Sequence, residues 1–129
     1  MNKDQIKDTI ETSKKDKWPY PRIFEELRGA GVDSYEVVLD DFEATYFGGD
    51  QTWKKPISVD LPALNINNTF FADKLPEIWD KHQIGDMPYD VFLLDAAGAG
   101  VKGYRVDMSS RTITCYGIDT TQQHSESIS

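Results

Sequence analysis

Few residues in this chain could do chemistry: two histidines, one cysteine, and a scatter of aromatics beside prolines. A cysteine nucleophile needs an activating base or a helix N-terminus close by. Cys115 stands in an alternating strand pattern with only His82 as a distant base, so core packing accounts for it. His82 follows Trp79 by three residues on the apolar side of a helical pattern, where a satisfied, partly buried imidazole is the simpler reading. No His or Cys pair has the spacing of a zinc site, and no Gly-x-Ser-x-Gly occurs. Asp40, Asp41 and Glu43 could approach a divalent cation, but the stretch lacks the loop pattern of an EF-hand and reads as a turn. The expectation is a non-enzyme with no catalytic residue, no metal and no cofactor. Trp18, Tyr20 and Trp53 are different, because aromatics near prolines in irregular segments serve as satellite core or as ligand platforms. Together with His82 they form the candidate ligand-binding set.

The elements that must position these residues are written twice. A shift of 69 positions lays Pro19-Tyr20 on Pro88-Tyr89 and Gly29-Ala30-Gly31-Val32 on Gly98-Ala99-Gly100-Val101. It also lays Tyr35 on Tyr104, Val37 on Val106, Thr45 on Thr114 and Gly48 on Gly117, with no gap. A repeat is settled first because it governs every later reading of the fold. Each unit opens with a helical segment, at 3–16 and at about 70–84, where Leu75, Ile78, Trp79 and His82 fall at i, i+3, i+4 and i+7. A second helix follows in each. Tyr20, Ile23, Phe24 and Leu27 keep the spacing of Tyr89, Phe92, Leu93 and Ala96. Pro21 is the expected start of the first of these helices, and Asp86 or Met87 the expected cap before Pro88 in the other.

Both helices then run into Gly-Ala-Gly-Val. A phosphate-binding loop would have to precede a helix, so that its N–H groups and dipole face the anion. These glycines follow one. Gly31 and Gly100 therefore read as left-handed helix stops, with Val32 and Val101 packing back on the last turn. Alternating strands come next: Tyr35, Val37, Leu39 in one unit and Tyr104, Val106, Met108 in the other. Turns at Asp40-Asp41 and Ser109-Ser110 lead into returning strands around 44–47 and 113–116.

The expected fold is α+β. Two tandem helix–helix–hairpin units (3–48 and 70–117) form one domain, with an antiparallel sheet of four or five strands and helices on one face. An insert, 49–69, has no counterpart after Gly117, and a fifth, edge strand near 57–60 fits between Pro56 and Pro62. The polar stretch 118–129 is expected to fray.

A net charge of −8 argues against nucleic-acid binding, which needs clustered Lys and Arg. No apolar run reaches the length of a membrane span, and the polar start has no signal-peptide character, so a cytoplasmic location is expected.

One pattern runs from Phe24-x-x-Leu27 through Gly31-Val32-x-x-Tyr35-Glu36-Val37 to Thr45-x-Phe47-Gly48. A second runs from Pro88-Tyr89-x-x-Phe92 through Gly100-Val101-x-x-Tyr104-x-Val106-Asp107 to Thr114-Cys115-Tyr116. Together they resemble the YbcV-like family of uncharacterised bacterial proteins, often carried in prophages and sometimes labelled phage envelope protein. The resemblance covers about residues 3–118. It implies a compact α+β domain of unknown function with phage ancestry, and supplies no catalytic or ligand residue to carry over.

These observations favour a non-enzymatic binding or interaction domain. A homodimer is open to it, with the sheet edge near 57–60 as the place where a partner strand would add. The alternatives are a small-molecule carrier or enzyme with a site between the units, and a phage structural or accessory protein. A specific site is expected in the insert or the seam, away from the repeated residues.

Overall fold

The computed structural model describes every residue except 58, 60, 86 and 129. Among the described residues it holds four α-helices, a short 3-10 turn and six strands. They run in the order α1 (Lys3–Asp16), α2 (Tyr20–Gly29), β1 (Ser34–Val38), β2 (Glu43–Gly48), β3 (Gln51–Pro56), the 3-10 turn Ala72–Lys74, α3 (Leu75–Gln83), α4 (Tyr89–Gly98), β4 (Gly103–Asp107), β5 (Thr112–Tyr116) and β6 (Gln123–Ser127). The strands form one antiparallel sheet in the order β3-β2-β1-β4-β5-β6. The fold is α+β.

Alternation fixes which face of this sheet is dry. Tyr35, Val37, Ala44, Tyr46, Tyr104, Val106 and Ile113 point into the core beneath the helices. Glu36, Thr45, Arg105 and Thr114 alternate with them on the other face. At the centre of that open face Glu36 pairs with Arg105 across β1 and β4, their charges 3.8 Å apart. On either side of this pair Tyr35 lies opposite Val106 and Val37 opposite Tyr104, so the register is symmetric about the two charges.

Each second helix starts and stops by the same local rules. Pro19 and Pro88 are extended N-cap residues with ψ near 150°, and neither helix has a side-chain cap. The first of these helices begins at Tyr20 rather than Pro21, because an extended proline needs no hydrogen-bonded N–H at the boundary. Residue 86 lies outside the described residues, and Pro88 itself fills the cap position. At the other end Gly31 and Gly100 have φ of 90° and 88°. Val32 N–H donates to the Leu27 carbonyl and Gly31 N–H to the Arg28 carbonyl. Val101 and Gly100 repeat the pattern with Ala96 and Ala97. This is the six-to-one, five-to-two pairing of a Schellman stop, and only glycine adopts its left-handed residue without strain.

The sheet is wider than the sequence patterns indicate. The fifth strand is β3, Gln51–Pro56, which follows β2 through the two-residue loop Gly49-Asp50. The edge strand expected at 57–60 falls partly on residues 58 and 60, outside the described residues. β3 ends in Lys54, Lys55 and Pro56, features that discourage another chain from adding to the edge. The stretch expected to fray instead supplies a sixth strand, β6, so the segment after Gly117 does have a partner role like that of β3. Backbone pairing to β5 holds it, and Ile128 anchors it in the core while donating its N–H to the Arg111 carbonyl. Trp79 Nε1 also donates to the Ser127 carbonyl at 3.3 Å. Ile128→Ala is expected to cost about 2 kcal/mol, seen as a lower urea midpoint at unchanged slope.

Candidate functional site

Where the helices meet the sheet at the seam between residues 3–48 and 70–117, a cavity of about 500 Å³ opens to the surface. That size is within the usual range for small-molecule sites. Its inner wall is tyrosine. Tyr20 starts α2, Tyr89 starts α4, and Tyr35 and Tyr104 hold the core-facing positions of β1 and β4. The Tyr20 and Tyr35 hydroxyls are hydrogen-bonded to each other, and those of Tyr89 and Tyr104 are 2.8 Å apart. The Tyr35 and Tyr104 rings meet edge to face at 6.4 Å. Tyr46 from β2 lies 5.7 Å from Tyr35.

Burial sets the protonation of this wall. Desolvation raises all four paired phenols above the ordinary tyrosine range, and each also feels the negative charge another would carry. Tyr46 is pushed up to about 12 by burial. At neutral pH the wall is therefore a set of uncharged hydroxyls.

His82, on α3, completes it. Its ring stacks on Phe92 at 4.1 Å, with Tyr20, Trp79 and Tyr89 at 5.4 to 5.9 Å. The residue is 8% exposed, and its Nδ1 has no hydrogen-bond partner among the described residues. Burial drops its pKa to about 4, so the imidazole is neutral. Apolar sides come from Ile10, Ile23, Leu27, Val37, Ile57 and Met87. The charged liners among the described residues are Lys14, Lys17 and Asp90. Partial burial lowers the Lys14 pKa, while Asp90 opposes that shift.

The cavity brings together three of the four candidate ligand residues. Tyr20 and His82 stand on its inner wall and Trp18 lies along it, under the Arg22 guanidinium at 3.8 Å. Trp53 is elsewhere. It is on the edge strand β3, its ring tilted 33° to that of Tyr46 with the centroids 5.8 Å apart, and Lys3 and Lys55 each lie 5.9 Å from it. Gly31 and Gly100 act in the helix stops and do not line the cavity. Cys115 is partly buried in β5 with its thiol pushed up to about 12, which leaves almost no thiolate at neutral pH.

Sequence reasoning missed Tyr35, Tyr46, Tyr89 and Tyr104 as polar groups, because their spacing marks them as core. The available signal was chemical. Tyr20 and Tyr35 and their counterparts Tyr89 and Tyr104 are all tyrosine where phenylalanine would pack equally well, and a buried hydroxyl requires a partner. The cavity lies at the seam, as expected of a site, and its polar wall is made of residues that recur at the 69-residue offset.

Residues 7–127 match DUF1398, a family of proteins of unknown function. The chain belongs to this family. No curated protein matches it. For this DUF1398 protein, the family assignment thus supplies a relationship without a chemistry. Among its described residues no group of three or more His, Cys, Asp or Glu side chains is placed to hold a metal ion. No helix among them is long and apolar enough to cross a membrane.

Proposed function

We propose that this DUF1398 protein is a non-enzymatic small-molecule binding protein whose ligand occupies the tyrosine-walled cavity. The observation that carries the reading is the unpartnered Nδ1 of His82 on the wall of a 500 Å³ cavity. An unsatisfied buried polar atom costs about 1–3 kcal/mol, a cost that packing alone would remove by placing an apolar side chain there. The chain retains it in a residue that lines a space large enough for a metabolite. The non-enzymatic part of the reading is supported by the chemistry of the candidate groups. His82 near pKa 4 is a weak base at neutral pH, and Cys115 is a suppressed nucleophile.

Duplication of one helix–helix–hairpin unit belongs to the same proposal. It is supported by the paired tyrosines, the paired glycine stops and the left-handed residues Phe42 and Arg111, all 69 positions apart. Such a duplication would explain why the ligand wall is two-sided. The YbcV-like resemblance, a prophage setting and a cytoplasmic location also stand as proposals, supported by the sequence motifs and the lone cysteine. Capsid or tail genes beside this one would point instead to a phage structural role.

A thermal-shift screen against a metabolite library tests the binding reading. A compound at 100 times its Kd should add about 2.7 kcal/mol of stability. The shift should vanish in Ile23→Trp, which fills the cavity from its half-buried side. A library with no stabilising compound, or a shift that survives Ile23→Trp, would overturn it.

A further inference from the structure

The two tyrosine pairs carry a donor count that restricts what the cavity can hold. Within a hydrogen-bonded pair of phenols one hydroxyl donates and the other accepts, so each pair keeps one O–H proton for a third partner. That remaining proton sits on the oxygen that accepts from its mate, and a hydroxyl polarised in this way is the stronger donor. Tyr20–Tyr35 and Tyr89–Tyr104 thus present two strengthened donors on one cavity wall. The natural complement of two such donors is an oxygen bearing charge, since a bond to an ionised acceptor is roughly twice as strong as one between neutral groups. The rim agrees. In a chain of net charge −8, the charged groups lining the cavity among the described residues are Lys14, Lys17 and Asp90. Rings of Tyr20, Tyr46, Trp18 and His82 give it flat apolar surfaces.

We infer that the occupant is a flat, largely apolar molecule presenting an anionic oxygen, of carboxylate, phenolate or enolate type, to the tyrosine wall. The inference rests on reading the cavity as a ligand site and specifies the chemistry of what enters. A cationic ligand is disfavoured by the same geometry, because un-ionised phenols neutralise no positive charge and, among the described residues, Asp90 alone of the lining groups could.

Matched probes test it on the intact chain. Binding of 4-nitrophenol is compared with 4-nitroanisole, and of 2-naphthoate with 2-naphthamide, by calorimetry. Each anion should bind at least about tenfold tighter than its neutral counterpart. Bound 4-nitrophenol should also show its anion absorption band at a pH one unit below its solution pKa. The double variants Tyr20→Phe/Tyr35→Phe and Tyr89→Phe/Tyr104→Phe keep the rings and remove both hydroxyls of a pair, because a single substitution would leave the mate's O–H free to donate. Each should cut the anion's advantage about tenfold and leave the neutral probe's affinity within about twofold, with circular dichroism confirming the fold. Neutral probes binding as tightly as the anions would overturn the oxyanion assignment and leave the ligand cavity standing. Failure of all four probes to bind would overturn both.

Discussion

Replacing Gly100 with alanine is expected to cost about 4 kcal/mol, a large part of the stability of an ordinary domain. Two effects add. At φ of 88° a side chain is strained by about 1–2 kcal/mol, and the new methyl would be forced into packed backbone at a cost of about 2–3 kcal/mol more. The methyl would fall well inside contact distance of the Thr69 carbonyl oxygen and 2.8 Å from Phe70 Cα. That backbone cannot move away cheaply. Asn67 N–H donates to the Ala97 carbonyl, Asn67 Nδ2 to the Gly98 carbonyl, and Phe71 N–H to the Ala99 carbonyl, binding the segment to the end of α4. Gly31 offers an internal control. It has nearly the same φ and the same helix stop, but a methyl there would meet Met1 Cα at 3.1 Å, an approach that a shift of a few tenths of an ångström relieves. Gly31→Ala should cost about 1–2 kcal/mol. Denaturant titration of both variants checks the ordering. Equal losses would show that backbone strain alone, without the Thr69–Phe70 contact, sets the cost.

The contrast between these glycines illustrates what the sequence could and could not reveal. Helical spacing at Tyr20, Ile23, Phe24 and Leu27 and its counterpart placed α2 and α4, because apolar residues at that period have only one way to face a core. The stop was equally legible, since Gly-Ala-Gly-Val after a helix has few other geometries. The outer strands were not. In β3 the apolar alternation is absent, and its one local cue, Gly48-Gly49-Asp50 as a tight loop, falls where the repeated pattern ends. In β6, Gln123 to Ser127 are all polar, and the strand exists because β5 offers unpaired backbone groups and Ile128 has a place in the core. Such an edge strand is recruited by its neighbour, which no periodicity within its own five residues can announce. The cavity was hidden for a related reason. Inward-facing spacing tells which side chains approach the seam, while the distance left between helix and sheet depends on every side chain between them. The spacing of Tyr35 and Tyr104 marks them as inward, while the pairing of their hydroxyls with Tyr20 and Tyr89 lies outside what spacing can announce.

His82 carries the second large effect, as a pH dependence. Its pKa is about 4 in the folded chain against an ordinary 6.5, so the unfolded chain takes up the proton more readily. Stability from this group is therefore complete above about pH 6.5, falls as the pH drops toward 4, and is level below that. The total is about 3 kcal/mol, the free energy of that pKa difference. His82→Phe should remove it. The substituted ring keeps a stack with Phe92 and carries no proton to bind. Comparing the two proteins cancels the other acid-sensitive groups, such as Asp107, whose carboxyl is held low by hydrogen bonds from Ser110 and Ser109. Urea titrations between pH 7 and pH 4 should show the wild-type losing about 3 kcal/mol more than the variant, and parallel curves would refute the assignment. At pH 7 the variant should be no less stable than the wild-type, because the substitution also removes the unpartnered Nδ1. A residue that weakens the fold at neutral and acid pH is retained for something other than folding, and a stabilised His82→Phe protein that no longer binds ligand would locate that reason in the cavity.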